Sequence, residues 1–328
     1  MNRCLGLVLV ALIGMGGSAF AAMPDVGGLV QVEYADRRGA DACFDVKAAR
    51  LSLDAGLTDR ISMRLQLDAS RQPELLEAKI TYSWSRYANI TVGQFKIPFG
   101  FETLLSRYDL ETIRRSLVVS SFLDNGVSAP YLRDVGLMVE GRYKLFQYKV
   151  AAVNGTGYNY HRDDPDGNGF LTAWSVDNNN SKDIVGWVGM GIPMFAGLGF
   201  SFYEGEWPDG GDRNARGFDL HFDTGKIIFQ YEYLRGFGLI DDLEFLCNKY
   251  SGYYWLVGYR VIPMIQPTFK VDRYDPNWDV GDDKLKDYYW GVTVNWERKA
   301  RLQVFYRESK EAGEFRDRIW LVQTSARL

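Results

Sequence analysis

The chain has 328 residues, a formal net charge of −4 at pH 7 and no basic tract, so nothing in it points to nucleic acid. Aromatic residues make up 15 % of it and mean hydropathy is −0.22, which excludes both a disordered chain and a bundle of membrane helices. Two His and three Cys leave little material for metal or nucleophilic sites, and no Cys-x-x-Cys-His run is present for covalent haem, so no cofactor is expected.

The first twenty-one residues read as an export signal. Met1-Asn2-Arg3 is a short positive start, Cys4 to Phe20 is uncharged and apolar or small, and Ala19-Phe20-Ala21 supplies an A-x-A cleavage site. Residues 22–328 then form one domain. After the leader no stretch approaches eighteen consecutive apolar residues, so a membrane-embedded chain has to cross as strands.

Sixteen segments alternate apolar with polar residues. The clearest are 61–68, where Ile61, Met63, Leu65 and Leu67 face one way and Arg64, Gln66 and Asp68 the other, followed by 76–82, 135–143, 218–223, 226–233, 253–260 and 301–307. Weaker ones lie near 29–34, 46–55, 90–95, 148–153, 183–191, 198–203, 266–272 and 288–295, and the last runs to the C-terminus with Trp320, Val322, Thr324, Ala326 and Leu328 on one face. Connections from even to odd segments are short: 58–60, 85–88, 144–145, 193–197, 223–226, 262–265 and 297–299. Those from odd to even are mostly longer: 35–43, 69–74, 96–132, 154–182, 204–215, 235–250, 273–287 and 308–317. Short periplasmic turns opposite longer outer loops predict an all-β, transmembrane antiparallel barrel of about 16 strands in the bacterial outer membrane. Tyr82, Trp84, Tyr143, Phe195, Tyr288, Trp290 and Trp296, near strand ends, suit interfacial girdles.

Connection 96–132 is the longest. Leu104, Leu105, Ile113, Leu117, Val118, Val119 and Phe122 are too apolar to sit in water, and a barrel lumen is the surface available to them. Ser106, with Asp109 three residues on, could cap a short helix that would put Arg107 and Arg114 on one face. Within and beside this loop, Gly93-Gln94-Phe95-Lys96-Ile97-Pro98-Phe99-Gly100, Arg115-Ser116 and Arg133-Asp134-Val135-Gly136 resemble the O/P porin family, the phosphate-selective porins. The runs 48–53 and 57–68 also look familial, and the resemblance is sharp over about 44–142. It implies sixteen-stranded trimers whose third loop folds inward as the constriction. Two departures stand out: Arg114 occupies the place before the Arg-Ser pair where the family usually has Glu, and the chain is short for the family.

The inward-pointing charges nearly cancel. Arg50, Arg64, Lys79, Arg142, Lys149, Arg260, Lys270, Arg301 and Arg307 face Asp54, Asp68, Glu77, Glu140, Asp219, Asp223, Glu232 and Asp272, and cross-strand pairing is the plain role for each. The loop adds Lys96, Arg107, Arg114, Arg115 and Arg133, opposed by Glu102, Asp109, Glu111, Asp124 and Asp134. Arginine forks suit oxyanions, so Arg107, Arg114 and Arg115 are candidates to line an anion-favouring constriction, with Lys96 and Arg133 at its ends. The alternative is that they pair with Asp109 and Glu111 or bind lipopolysaccharide phosphates.

Asp164, Asp166, Asn168 and Gly169 match the first half of a calcium loop, but Ser175 stands where that pattern needs Glu, and such runs are also ordinary turns. Cys43 and Cys247 can pair or stand as free thiols. His161 and His221 have no evident Ser partner, so a barrel enzyme is not expected. The functional expectation is a passive channel for small hydrophilic solutes, with anions such as phosphate preferred. Its expected surroundings are outer-membrane lipid and lipopolysaccharide, and its expected assembly a homotrimer. The competing reading is a scaffold or sheath around an exported partner such as a cytochrome.

Overall fold

The computed structural model describes residues 23–37, 41–70, 73–122, 133–155, 181–192, 195–206, 212–240, 247–281, 283–297, 299–312 and 314–328. The leader 1–21 and the candidate calcium loop 164–169 lie outside the described residues.

The chain forms a closed barrel of sixteen strands, each antiparallel to its neighbours in sequence, with β1 closing on β16. The strands are β1 Asp25–Arg37, β2 Cys43–Gly56, β3 Ile61–Asp68, β4 Glu74–Ser85, β5 Ala88–Lys96, β6 Arg133–Tyr143, β7 Phe146–Val153, β8 Asp183–Ile192, β9 Ala196–Glu206, β10 Asp212–Asp223, β11 Ile227–Ile240, β12 Cys247–Tyr259, β13 Ile265–Asp275, β14 Leu285–Trp296, β15 Ala300–Glu311 and β16 Glu314–Arg327. Among the described residues between β5 and β6 lie two short helices, α1 Phe101–Leu104 and α2 Leu117–Phe122. All sixteen alternating segments are strands.

Two expected loops are mostly strand. In 235–250, β11 runs on to Ile240 and β12 starts at Cys247; in 308–317, β15 runs on to Glu311 and β16 starts at Glu314. At this end the strands carry Lys310, Glu311, Arg316 and Arg318, and alternation stops because strands that rise into water need no apolar face. On the opposite side the tight turns are built by local chemistry. In the β10–β11 turn the Asp223 carboxylate accepts from the Gly225 N–H at 2.8 Å, and Gly225 holds φ 83.

The two faces divide as alternation demands. Outward side chains such as Val30, Leu51, Ile80, Leu137, Val188, Phe200 and Val292 are exposed and apolar. A run of rings crosses the outer wall from Trp255 through Phe269, Trp290 and Tyr306 to Trp320, with centroids 5.1–6.0 Å apart. Many inward positions are polar, and the apolar ones gather in patches, the largest of them beside the β5–β6 connection. Phe95, Met138, Val153, Val185, Tyr203, Leu234, Tyr250 and Tyr274 form a buried apolar cluster with Phe99, Val118 and Val119 of the β5–β6 connection. Cys43 is a free, exposed thiol at the start of β2.

Candidate pore constriction

The β5–β6 connection touches strands around most of the barrel. Gly100 donates its N–H to Ser201 on β9 at 2.9 Å. The Glu232 carboxylate on β11 accepts from the N–H groups of Phe101 at 2.9 Å and Glu102 at 3.0 Å, so a strand side chain caps α1. Asp272 on β13 does the same for α2 through the Leu117 N–H at 2.6 Å. Between them Glu102 accepts from both the N–H and the hydroxyl of Ser116, at 2.7 Å each, and its other oxygen faces Lys270 at 3.4 Å. Gly100 makes this approach possible: its φ is 74, and a Cβ there would strike the Glu232 carboxylate.

Further along, Arg301 on β15 donates to the carbonyls of Tyr108 and Leu110, the latter at 3.1 Å. Gln266 on β13 donates to Glu111 at 2.7 Å. Tyr108 packs with Leu29 of β1 and Ala48 of β2, beneath the Arg327 guanidinium 4.2 Å from its ring. Ile113 enters an apolar patch of Tyr289, Phe305, Ile319 and Leu321 on β14–β16. These apolar and hydrogen-bonded seats explain where the loop's hydrophobic residues go.

The five cations singled out in the sequence take different places. Lys96 ends β5 and donates to the carbonyls of Leu104 at 3.3 Å and Leu105 at 2.7 Å, the orphan acceptors at the end of α1. Arg115 donates to the carbonyls of Glu102 and, at 3.0 Å, Leu105. Burial lowers the Arg115 guanidinium below its ordinary value, while the Glu102 carboxylate pulls it back up. Arg133, buried at the start of β6, reaches Gln66 and Glu77 at 3.3 Å each. Arg107 donates to the Lys47 carbonyl on β2. Arg114 pairs with Glu33 on β1 at 2.7 Å and keeps 38 % of its side chain exposed. Lys96, Arg115 and Arg133 lie near one another and near Arg50; Arg107 and Arg114 reach the β1–β2 wall.

Residues 105–116 are not a helix. Ser106 and Asp109 form a turn instead, with the hydroxyl donating to the carboxylate at 2.7 Å, and Asp109 also meets Arg327 at 3.0 Å. Of the acids named as alternative partners for the loop arginines, Asp109 meets Arg327 and Glu111 accepts from Gln266, while Arg114 pairs with Glu33. Sequence reasoning named Glu102 among the opposing acids but missed its contact with Ser116, and missed Glu33 as the partner of Arg114; for the first, the signal was the Arg115-Ser116 pair itself. His221 faces inward and stacks on Phe101, centroids 4.2 Å apart.

Toward the short turns the lumenal charges pair across strands as expected. Arg64 meets Asp54 at 3.1 Å, Lys149 meets Glu140, and Arg260 grips Asp223 through both terminal nitrogens at 2.6 and 2.8 Å, while Lys79 meets Glu77 within β4 at 2.8 Å. Asp25, Asp54, Arg64, Lys79 and Thr81 line a cavity of about 300 Å³ at this end.

Residues 24–175, which span β1 to β7 and the connection just described, match the family Phosphate-selective porin O and P. The closed barrel and this match over part of the chain identify an outer-membrane porin that resembles the family. No curated protein is significantly similar to it in sequence. Among solved structures, the porin resembles an anion-selective porin from Comamonas acidovorans with a TM-score of 0.69 at 12 % identity, over 94 % of this chain and 100 % of that one. It also resembles OmpT of Vibrio cholerae in a trimer form, with a TM-score of 0.65 at 10 % identity over 93 % and 99 % of the two chains. The outer-membrane channel DcaP of Acinetobacter baumannii matches with a TM-score of 0.64 at 14 % identity over 96 % and 99 %. At such identities the likeness is one of fold. The family match and the barrel place the porin in the bacterial outer membrane.

Proposed function

We propose that this porin is a passive diffusion channel for small hydrophilic solutes, that it prefers anions such as phosphate, and that it works as a homotrimer. The observation that supports the channel reading is the seating of residues 97–117 against β1, β2, β9, β11, β13 and β15, with charged pairs left open toward the short turns; in this reading the segment narrows the bore. A sheath around another protein would need the space that this segment fills.

The anion preference is assigned to the five cations in two roles. Arg114 meets the solute, because its side chain keeps 38 % of its surface open and is held at one nitrogen by Glu33. Lys96, Arg107, Arg115 and Arg133 hold the segment that presents it and add positive field. Solute recognition by an arginine fork favours planar and tetrahedral oxyanions over halides. The anion-selective porin and the trimer among the structural neighbours support the reading by fold.

The test is single-channel conductance in a planar bilayer, with reversal potentials under a salt gradient and phosphate as blocker. Arg114→Ala should move the reversal potential toward cations and weaken phosphate block while the barrel stays folded. An unchanged potential and unchanged block would remove Arg114 from the selectivity role. A folded barrel without conductance would overturn the channel reading itself.

A further inference from the structure

On the outer wall the strand register sets three cations side by side. Arg273 of β13 lies directly opposite Lys286 of β14, and Lys286 lies directly opposite Lys310 of β15. Like charges directly opposite on one sheet face destabilise the pairing. The nearby acids do not balance the row. Glu308 is shared between Lys310 and Arg318, each at 3.6 Å, and Asp275 is engaged by Lys284 at 3.4 Å.

The row also has a defined height. Two residues toward the membrane from Lys286 comes Tyr288, stacked on Trp290, which belongs to the aromatic run of the outer wall. The ammonium groups of Lys286 and Lys310 stand 5.2 and 5.8 Å from the Tyr288 centroid. In the other direction β13 and β14 end in the connection 276–284, on the side of the longer loops. Cations just beyond an aromatic belt sit at the level of lipid headgroups, where anionic phosphates are within reach.

We propose that Arg273, Lys286 and Lys310 form a binding site for the phosphate groups of lipopolysaccharide in the outer leaflet. A phosphate between neighbouring strands cancels the repulsion that the register imposes. The arginine supplies a bidentate fork and the two lysines supply point charges held over the Tyr288 ring. The site faces lipid, so it is separate from the solute path and independent of the selectivity assigned to Arg114.

The test uses the full-length porin folded in neutral detergent and titrated with bisphosphorylated lipid A, followed by tryptophan fluorescence. The variant R273Q/K286Q/K310Q should bind on the order of ten- to a hundredfold more weakly, because each surface cation contributes about a few-fold. Lys226→Gln, in a short turn at the opposite rim, should bind like the wild type. Dephosphorylated lipid A should bind wild type and triple variant equally. Wild-type affinity in the folded triple variant overturns the site. So does saturation by inorganic phosphate alone, which would make the ligand a free anion. Lys286→Gln gives a second readout. Without lipid it should melt above the wild type, because it removes both like-charge contacts, and with lipid A it should melt below. Failure of that reversal overturns the proposal too.

Discussion

Where residues 97–117 meet the wall, Glu102, Glu232, Lys270 and Asp272 are all buried. Toward the short turns Asp54, Arg64, Asp223 and Arg260 keep 44 %, 34 %, 34 % and 25 % of their side-chain surface open. Both regions are lumenal, and both are built from acids and bases on facing strands. Their difference lies in burial. In the seam each carboxylate is spent on helix N–H groups or a buried lysine, so the charges fix backbone geometry. In the open region the pairs remain in water, where a partner can be exchanged for a passing ion at small cost.

The strongest way to break the seam is to remove its cation. Lys270 is fully buried between Glu102 and Asp272, and its ammonium also lies 4.7 Å from the Tyr254 ring centroid. Lys270→Met leaves two buried carboxylates without their counter-ion, and breaking a buried pair this way costs about 3–5 kcal/mol. The midpoint of thermal unfolding in detergent should fall accordingly. An unchanged midpoint would mean that the seam is wetter than its burial indicates.

Gly100→Ala attacks the same seam through the backbone. The position needs a left-handed φ, and the new methyl collides with the Glu232 carboxylate, so α1 loses its cap. The backbone strain alone costs about 1–3 kcal/mol. The expected result is a folded barrel whose constriction is loosened: larger and noisier conductance steps, with thermal stability reduced less than in Lys270→Met. Steps of wild-type size and noise would show that the cap on α1 does not control the bore.

The open region and the barrel were legible in the sequence, and the seam was not. Strand alternation has a period of two and needs only neighbours, so Arg64, Asp54, Lys149 and Arg260 could be placed inward from local pattern. The strand ends above the membrane were not legible, because Lys310 to Arg318 carries no apolar face to mark it as sheet. The seam joins residues far apart in the chain. Glu102 and Glu232 meet across 130 positions, and Leu117 and Asp272 across 155. The motif around Lys96 and Arg115 announced a basic loop, but their acceptors are the backbone carbonyls of residues 102, 104 and 105, which leave no trace in side-chain pattern.

The smallest effect on stability, and the sharpest contrast with Lys270→Met, belongs to Arg64→Gln. Arg64 contacts Asp54 at 3.1 Å and Glu77 at 3.5 Å, but Glu77 keeps Lys79 at 2.8 Å and Arg133 at 3.3 Å, so no carboxylate is left buried and alone. The pair with Asp54 is open to water, and its loss should cost under about 1 kcal/mol. Conduction should respond more than stability does. Arg64, Asp54 and Lys79 line the cavity at this end, and taking away one positive charge there tilts the local field toward cations. Asp54→Asn should shift the reversal potential the opposite way, and the double variant should fall between the two. If Arg64→Gln instead lowers the melting point as much as Lys270→Met, the open pairs are structural as well and the division of the lumen into two regions fails.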